Sequence, residues 1–268
     1  GILPETIASV PEQWESFFSN KVFCIDNKFY NYDVNGCLYV LDETEGWSLL
    51  DDSGFPTVDD FVPSSAELYA TSDHQLYVIV NYPFVEGATR KILCYDFEQG
   101  CWTDCGFLPE VSQILSVTVG DGMLWFVGSQ VDEETGERFI ACEYNPNTQE
   151  TVRISEMPFY RMAVNCYWIA DQLVLTMDAL PSFATNAPLP QAIYDPETDS
   201  WDICEQMTVE QMQTLYYNTE NYLYPFVNAA NSRYLVYVGM GVQGAGDIIL
   251  YDVQTKQYLS TAYSIYDL

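Results

Sequence analysis

The chain has 268 residues, 48% hydrophobic and 15% aromatic, enough to bury a substantial core in one or two domains. Nine Lys and Arg face 39 Asp and Glu, a formal charge of −30, which excludes nucleic acid and anionic membrane surfaces as partners. No run is long and apolar enough to span a bilayer, so no membrane insertion is expected. Gly1 is expected to be a cloning remnant, with any secretory signal already cut away.

In chain order, the first sixteen residues stand outside any pattern and are expected to be a lead-in or ring-closing strand. Residues 17–268 read as one domain. Strand-like runs then come in pairs separated by tight turns. Val22 to Asp26 and Lys28 to Asp33 flank Asp26-Asn27, and Glu67 to Thr71 and Gln75 to Val80 flank Asp73-His74. Ile114 to Val119 and Met123 to Gly128 flank Gly120-Asp121-Gly122. Met162 to Ile169 and Gln172 to Thr176 flank Asp171, and Tyr224 to Asn228 and Tyr234 to Gly239 flank Asn231-Ser232. Val131 to Arg138 and Asp178 to Pro190 read as long loops, the first strongly acidic. Val209 to Tyr216 is the one stretch with a helical reading, capped by Thr208 with Gln211.

After each pair comes a recurring hairpin: an apolar strand, Tyr-Asp or a near match, a polar turn, then an aromatic. It reads Leu41-Asp42 to Trp47, Tyr95-Asp96 to Trp102, Tyr144-Asn145 to Thr151, Tyr194-Asp195 to Trp201, and Tyr251-Asp252 to Tyr258. The Asp or Asn side chain bonds the backbone two residues on, which makes the turn. The aromatic opening the second strand packs across to the Tyr side of the first. Each unit thus holds four short antiparallel strands in about fifty residues, repeated five times. That is the signature of an all-β fold, a β-propeller of four-stranded blades.

The hairpins resemble the kelch repeat, the family that includes the galactose oxidase propeller, over most of the chain from Lys21. The resemblance is carried by Tyr194-Asp195-Pro196-Glu197-Thr198-Asp199-Ser200-Trp201, Leu124-Trp125-Phe126-Val127-Gly128, Tyr237-Val238-Gly239-Met240-Gly241 and Met157-Pro158-Phe159-Tyr160-Arg161. The glycine pair usual after the second strand of a kelch unit is absent, its places reading Val80-Asn81, Gly128-Ser129, Thr176-Met177 and Gly239-Met240. The family's copper chemistry implies two histidine ligands. His74 is the only histidine here, and it sits in a turn.

That scarcity also removes histidine-rich zinc catalysis and a Ser-His-Asp triad. No metal and no cofactor is expected. Asp51-Asp52 and Asp132-Glu133-Glu134 lack the spacing of a calcium loop. The eight cysteines are spread through strand-like runs, so free thiols are expected rather than a disulfide framework; Cys101 and Cys105 alone have clip-like spacing. With 39 acids, no glycosidase pair can be picked out by sequence.

The residues singled out for binding are Tyr77, Trp125 and Trp168, in first or second strands near the axis, and Arg161 and Arg233, just before inner strands. Packing between blades is the plainer explanation of the aromatics, and pairing with surplus acids the plainer explanation of the arginines. No catalytic residue is named. The expected function is a non-catalytic propeller recognising a glycan, peptide or protein through loops on one face. The alternative is a carbohydrate-active enzyme (glycosidase, lyase or sugar epimerase) with a central-channel site. A monomer is expected, extracellular or on the cell surface of a bacterium after signal removal, with the cytoplasm as the alternative setting.

Overall fold

The computed structural model describes residues 22–42, 44–58, 60, 62–82, 90–108, 111–134, 136–158, 164–177, 191–204, 224–230, 233–240 and 247–264. These form twenty strands in five four-stranded antiparallel sheets, each a simple meander. The first blade is β1 (Phe23–Ile25), β2 (Lys28–Tyr32), β3 (Leu38–Asp42) and β4 (Gly46–Asp51). The second is β5 (Ser65–Ser72), β6 (Gln75–Asn81), β7 (Arg90–Asp96) and β8 (Cys101–Phe107). The third is β9 (Gln113–Gly120), β10 (Met123–Asp132), β11 (Gly136–Asn145) and β12 (Glu150–Glu156). The fourth is β13 (Val164–Ile169), β14 (Gln172–Met177), β15 (Gln191–Asp195) and β16 (Ser200–Cys204). The fifth is β17 (Tyr224–Ala230), β18 (Tyr234–Met240), β19 (Asp247–Asp252) and β20 (Gln257–Ser264). First strands of successive blades touch one another, β1 with β5, β5 with β9 and β9 with β13. The fold is a β-propeller, with first strands innermost and fourth strands outermost.

In the second and third blades the second strand is apolar on both faces because a blade lies against it on each side. In β6, Leu76, Val78 and Val80 pack toward the first blade, while Tyr77 and Ile79 pack toward the third. In β10, Leu124 and Phe126 face the second blade, and Trp125 and Val127 face the fourth. A slip of one residue would exchange these two sets, so the alternation fixes the register. Each such side chain, buried, contributes about 1.5–3 kcal/mol of transfer free energy.

The repeated hairpin has one local geometry. The carboxylate or amide oxygen of Asp42, Asp96, Asn145, Asp195 and Asp252 accepts a backbone N–H two residues on, at 2.8–3.0 Å. Four residues after each anchor the backbone turns left-handed, at Gly46, Gly100, Gln149, Asp199 and Lys256. The strand pairing then sets Leu41 opposite Trp47, Tyr95 opposite Trp102, Tyr144 opposite Thr151, Tyr194 opposite Trp201 and Tyr251 opposite Tyr258.

In the second, third and fourth blades the Tyr of the motif bolts the blade to the preceding one. Tyr95 donates to Asp51 Oδ2 at 2.7 Å, and Tyr144 donates to the Cys105 carbonyl at 2.7 Å. Tyr194 accepts from Arg153 Nη1 at 3.1 Å. The Trp that follows adds a second bolt: Trp102 Nε1 donates to the Gly36 carbonyl and Trp201 Nε1 to the Glu156 carbonyl.

One expected loop is corrected. Val131 to Arg138 is not a loop but the end of a long hairpin, in which Val131 pairs with Glu137 and Gly136 turns the chain with φ of +81°. The expected helix at Val209 to Tyr216, the loop at Asp178 to Pro190 and the lead-in segment lie outside the described residues. Seven of the eight cysteines, Cys24, Cys37, Cys94, Cys101, Cys105, Cys142 and Cys166, are free thiols. Cys101 is exposed and Cys105 buried, so the two do not form a surface clip, and burial pushes the Cys142 and Cys166 thiols up to about 12.

Candidate functional site

A cleft of about 470 Å³ opens between the third and fourth blades, on the face carrying the first-to-second and third-to-fourth turns, with the fifth blade at its rim. Its floor is aromatic. Trp125 stands edge-on to Tyr194 with centroids 5.6 Å apart, and Tyr194 lies 4.8 Å from Trp201. Trp168, half-buried at the end of β13, forms one wall. It reaches that place because residue 120 is glycine: a Cβ there would lie 1.9 Å from Trp168 Cδ2. Glycine is thus required by close approach of the indole to the backbone.

The rim is acidic. Asp121 and Asp171 come from the two first-to-second turns, both in left-handed backbone (φ of 51° and 59°). Neither has a hydrogen bond or ion pair among the described residues. Glu143, Asp195 and Asp202 complete the acidic lining, and Lys256 is its one basic side chain.

Two cations of the protein already sit against these groups. Arg153 Nε lies 2.9 Å from Glu143 Oε2, its cross-strand partner. That carboxylate oxygen is buried and out of line for a hydrogen bond. The Arg153 guanidinium also donates to the Pro196 carbonyl at 2.9 Å and lies 5.7 Å from the Tyr194 ring centroid. Burial raises the Tyr194 phenol's pKa, its bond to Asp199 at 2.6 Å adds to this, and Arg153 opposes it. At the rim, Lys256 reaches from the fifth blade to Asp202 Oδ2 at 2.5 Å.

The residues singled out by sequence divide three ways. Trp125 and Trp168 meet in this cleft. Tyr77 is buried between the second and third blades, where its hydroxyl donates to Gln75 Oε1. Arg233 holds the buried Asp252 carboxylate at 2.7 Å in the fifth blade, and this guanidinium lowers the Asp252 pKa to about 2. Arg161 lies outside the described residues. His74 bridges two blades, with Nδ1 2.6 Å from Asp26 and Nε2 3.6 Å from Glu98. Sequence reading missed Glu143, Arg153 and Tyr194. The hairpin register carries the signal for the first two, since it sets them directly opposite across the turn.

No protein-family model and no curated protein matches the chain. Among solved structures, an acylaminoacyl peptidase in complex with Z-Gly-Gly-Phe-chloromethyl ketone is similar with a TM-score of 0.55 and 11% identity. The match covers 93% of this chain and 40% of that one. The orthorhombic form of the Pyrococcus horikoshii acylaminoacyl peptidase gives 0.54 at 11% identity, covering 91% and 39%. The β-propeller domain of the Trilobed protease from Pyrococcus furiosus gives 0.48 at 10% identity, covering 87% and 66%. The chain spans about two fifths of the length of the peptidases it resembles, and likeness at this identity concerns the fold alone.

Proposed function

We propose that this propeller is a non-catalytic interaction module that takes a peptide, protein or glycan partner in the cleft between its third and fourth blades. One observation carries the reading. The cleft joins the half-buried Trp168 indole to exposed rim carboxylates on a single face of the propeller, and its Glu143 carboxylate is already paired with Arg153. Such a lining favours recognition by stacking and charge. The kelch-like character of the Tyr-Asp hairpins belongs to the same proposal: a rigid repeat scaffold presents variable turns.

Peptide and glycan arrays probed with the full chain test this, run beside assays for glycoside hydrolysis, lyase and epimerase turnover. The expected result is saturable binding of an arrayed partner, weakened by Trp168→Ala, with no turnover. Turnover of any glycan would replace the reading with the enzyme alternative. Absence of binding on both arrays would remove it.

A further inference from the structure

Resting on that binding reading, we infer that the cleft's partner is a basic polypeptide segment, one of whose Lys or Arg side chains seats against Trp168 between Asp121 and Asp171. Three observations point to that chemistry. The first is the cavity's own composition, with an indole wall and carboxylates arriving from both blades. A cation over an indole face gains from the ring quadrupole, and more so where water is partly excluded.

The second is what the cleft already does with the protein's own cations. Arg153 is drawn over the Tyr194 ring and onto Glu143, and Lys256 onto Asp202, so both walls demonstrably accept guanidinium and ammonium groups. Asp121 and Asp171 carry no such partner among the described residues, and both are exposed. The Lys256–Asp202 pair is more than half exposed on both sides. Exposed pairs of this kind are weak and readily exchanged for an incoming cation.

The third is the charge of the surrounding face. The meander brings every first-to-second and third-to-fourth turn to this one side, and the described turns supply Asp26, Asp73, Asp96, Glu98 and Glu197 around the cleft's own acids. A field of one sign raises the encounter rate of a basic partner.

The test is a titration of intrinsic Trp fluorescence, with calorimetry, on the full chain. The probes are an alternating Lys-Gly octapeptide, its fully Nε-acetylated form, and a neutral oligosaccharide. The lysine peptide is expected to bind, and acetylation to weaken it about tenfold or more, the scale of a lost cation–π and carboxylate contact. Asp121→Asn with Asp171→Asn should weaken it similarly. Glu133→Gln with Glu137→Gln, at the hairpin on the opposite face, removes the same charge and should leave affinity unchanged. Lys256→Ala should tighten binding by removing a competing cation from the rim. Equal affinity for the acetylated peptide, or equal losses in both double variants, overturns the inference. Binding of the oligosaccharide in the cleft without the lysine peptide overturns it while leaving the interaction reading in place. Binding of no probe at all counts against both.

Discussion

Replacing Tyr144 with Phe removes one oxygen from the seam between the second and third blades. Tyr144 is 2% exposed, and its hydroxyl donates to the Cys105 carbonyl at 2.7 Å. Phe keeps the ring and its packing, so the loss is the hydrogen bond and the satisfaction of a carbonyl deep in the seam, about 1–3 kcal/mol. Gly106 is coupled to the same atom. Its φ is +97°, and an added Cβ would lie 2.6 Å from the Tyr144 hydroxyl. Gly106→Ala alone therefore carries backbone strain of about 1–3 kcal/mol plus the clash. In the double variant the clashing oxygen is gone while the strain remains. The two single losses should then exceed the double loss by about 1 kcal/mol. Urea unfolding followed by fluorescence and circular dichroism measures all three, with the slopes checked for constancy. Strict additivity, within about 0.3 kcal/mol, would mean that the hydroxyl is not seated over Gly106 and would refute the bolt.

Gly120→Ala should displace the Trp168 indole, since the new Cβ would stand 1.9 Å from it; the expected readout is a shifted Trp emission maximum and a lower unfolding midpoint, and an unchanged spectrum would contradict the packing. The bond to Asp26 raises the His74 pKa above its ordinary 6.5. Stability from that pair is fully present below about pH 6.5 and lost as pH rises through the folded value, so His74→Gln should flatten the difference between unfolding midpoints at pH 5.5 and 8.5. Arg233 and the turn N–H groups lower the Asp252 pKa to about 2. Stability from this carboxylate is present above about pH 4 and lost as pH falls toward 2; Arg233→Gln should move the acid transition to higher pH, and an unmoved transition would separate the two groups.

Much of the fold was legible because the repeat writes each constraint five times. The second strands β6 and β10 are continuous apolar runs, since each is covered on both faces. The turn anchors at Asp42, Asp96, Asn145, Asp195 and Asp252 announce the hairpins through their own hydrogen bonds. The Val131–Arg138 hairpin was not legible. It extends past the packed part of the blade, where the Arg138 guanidinium bonds Gln130 Oε1 at 2.8 Å and no apolar alternation is needed. The cleft was half legible. Trp125 and Trp168 stand out as aromatics on inner strands, but what joins them is a glycine at 120 whose role is steric and has no periodicity. Asp121 and Asp171 read as ordinary turn acids among many, because only the lateral packing of two blades makes them neighbours.

The central claim is that partners engage the cleft between the third and fourth blades. Hydrogen–deuterium exchange with and without saturating lysine peptide tests it most directly. Slowed exchange confined to the turns at 120–123, 170–173 and 195–199 is the predicted result. Slowing confined to the opposite face, at the 131–137 hairpin, would contradict it.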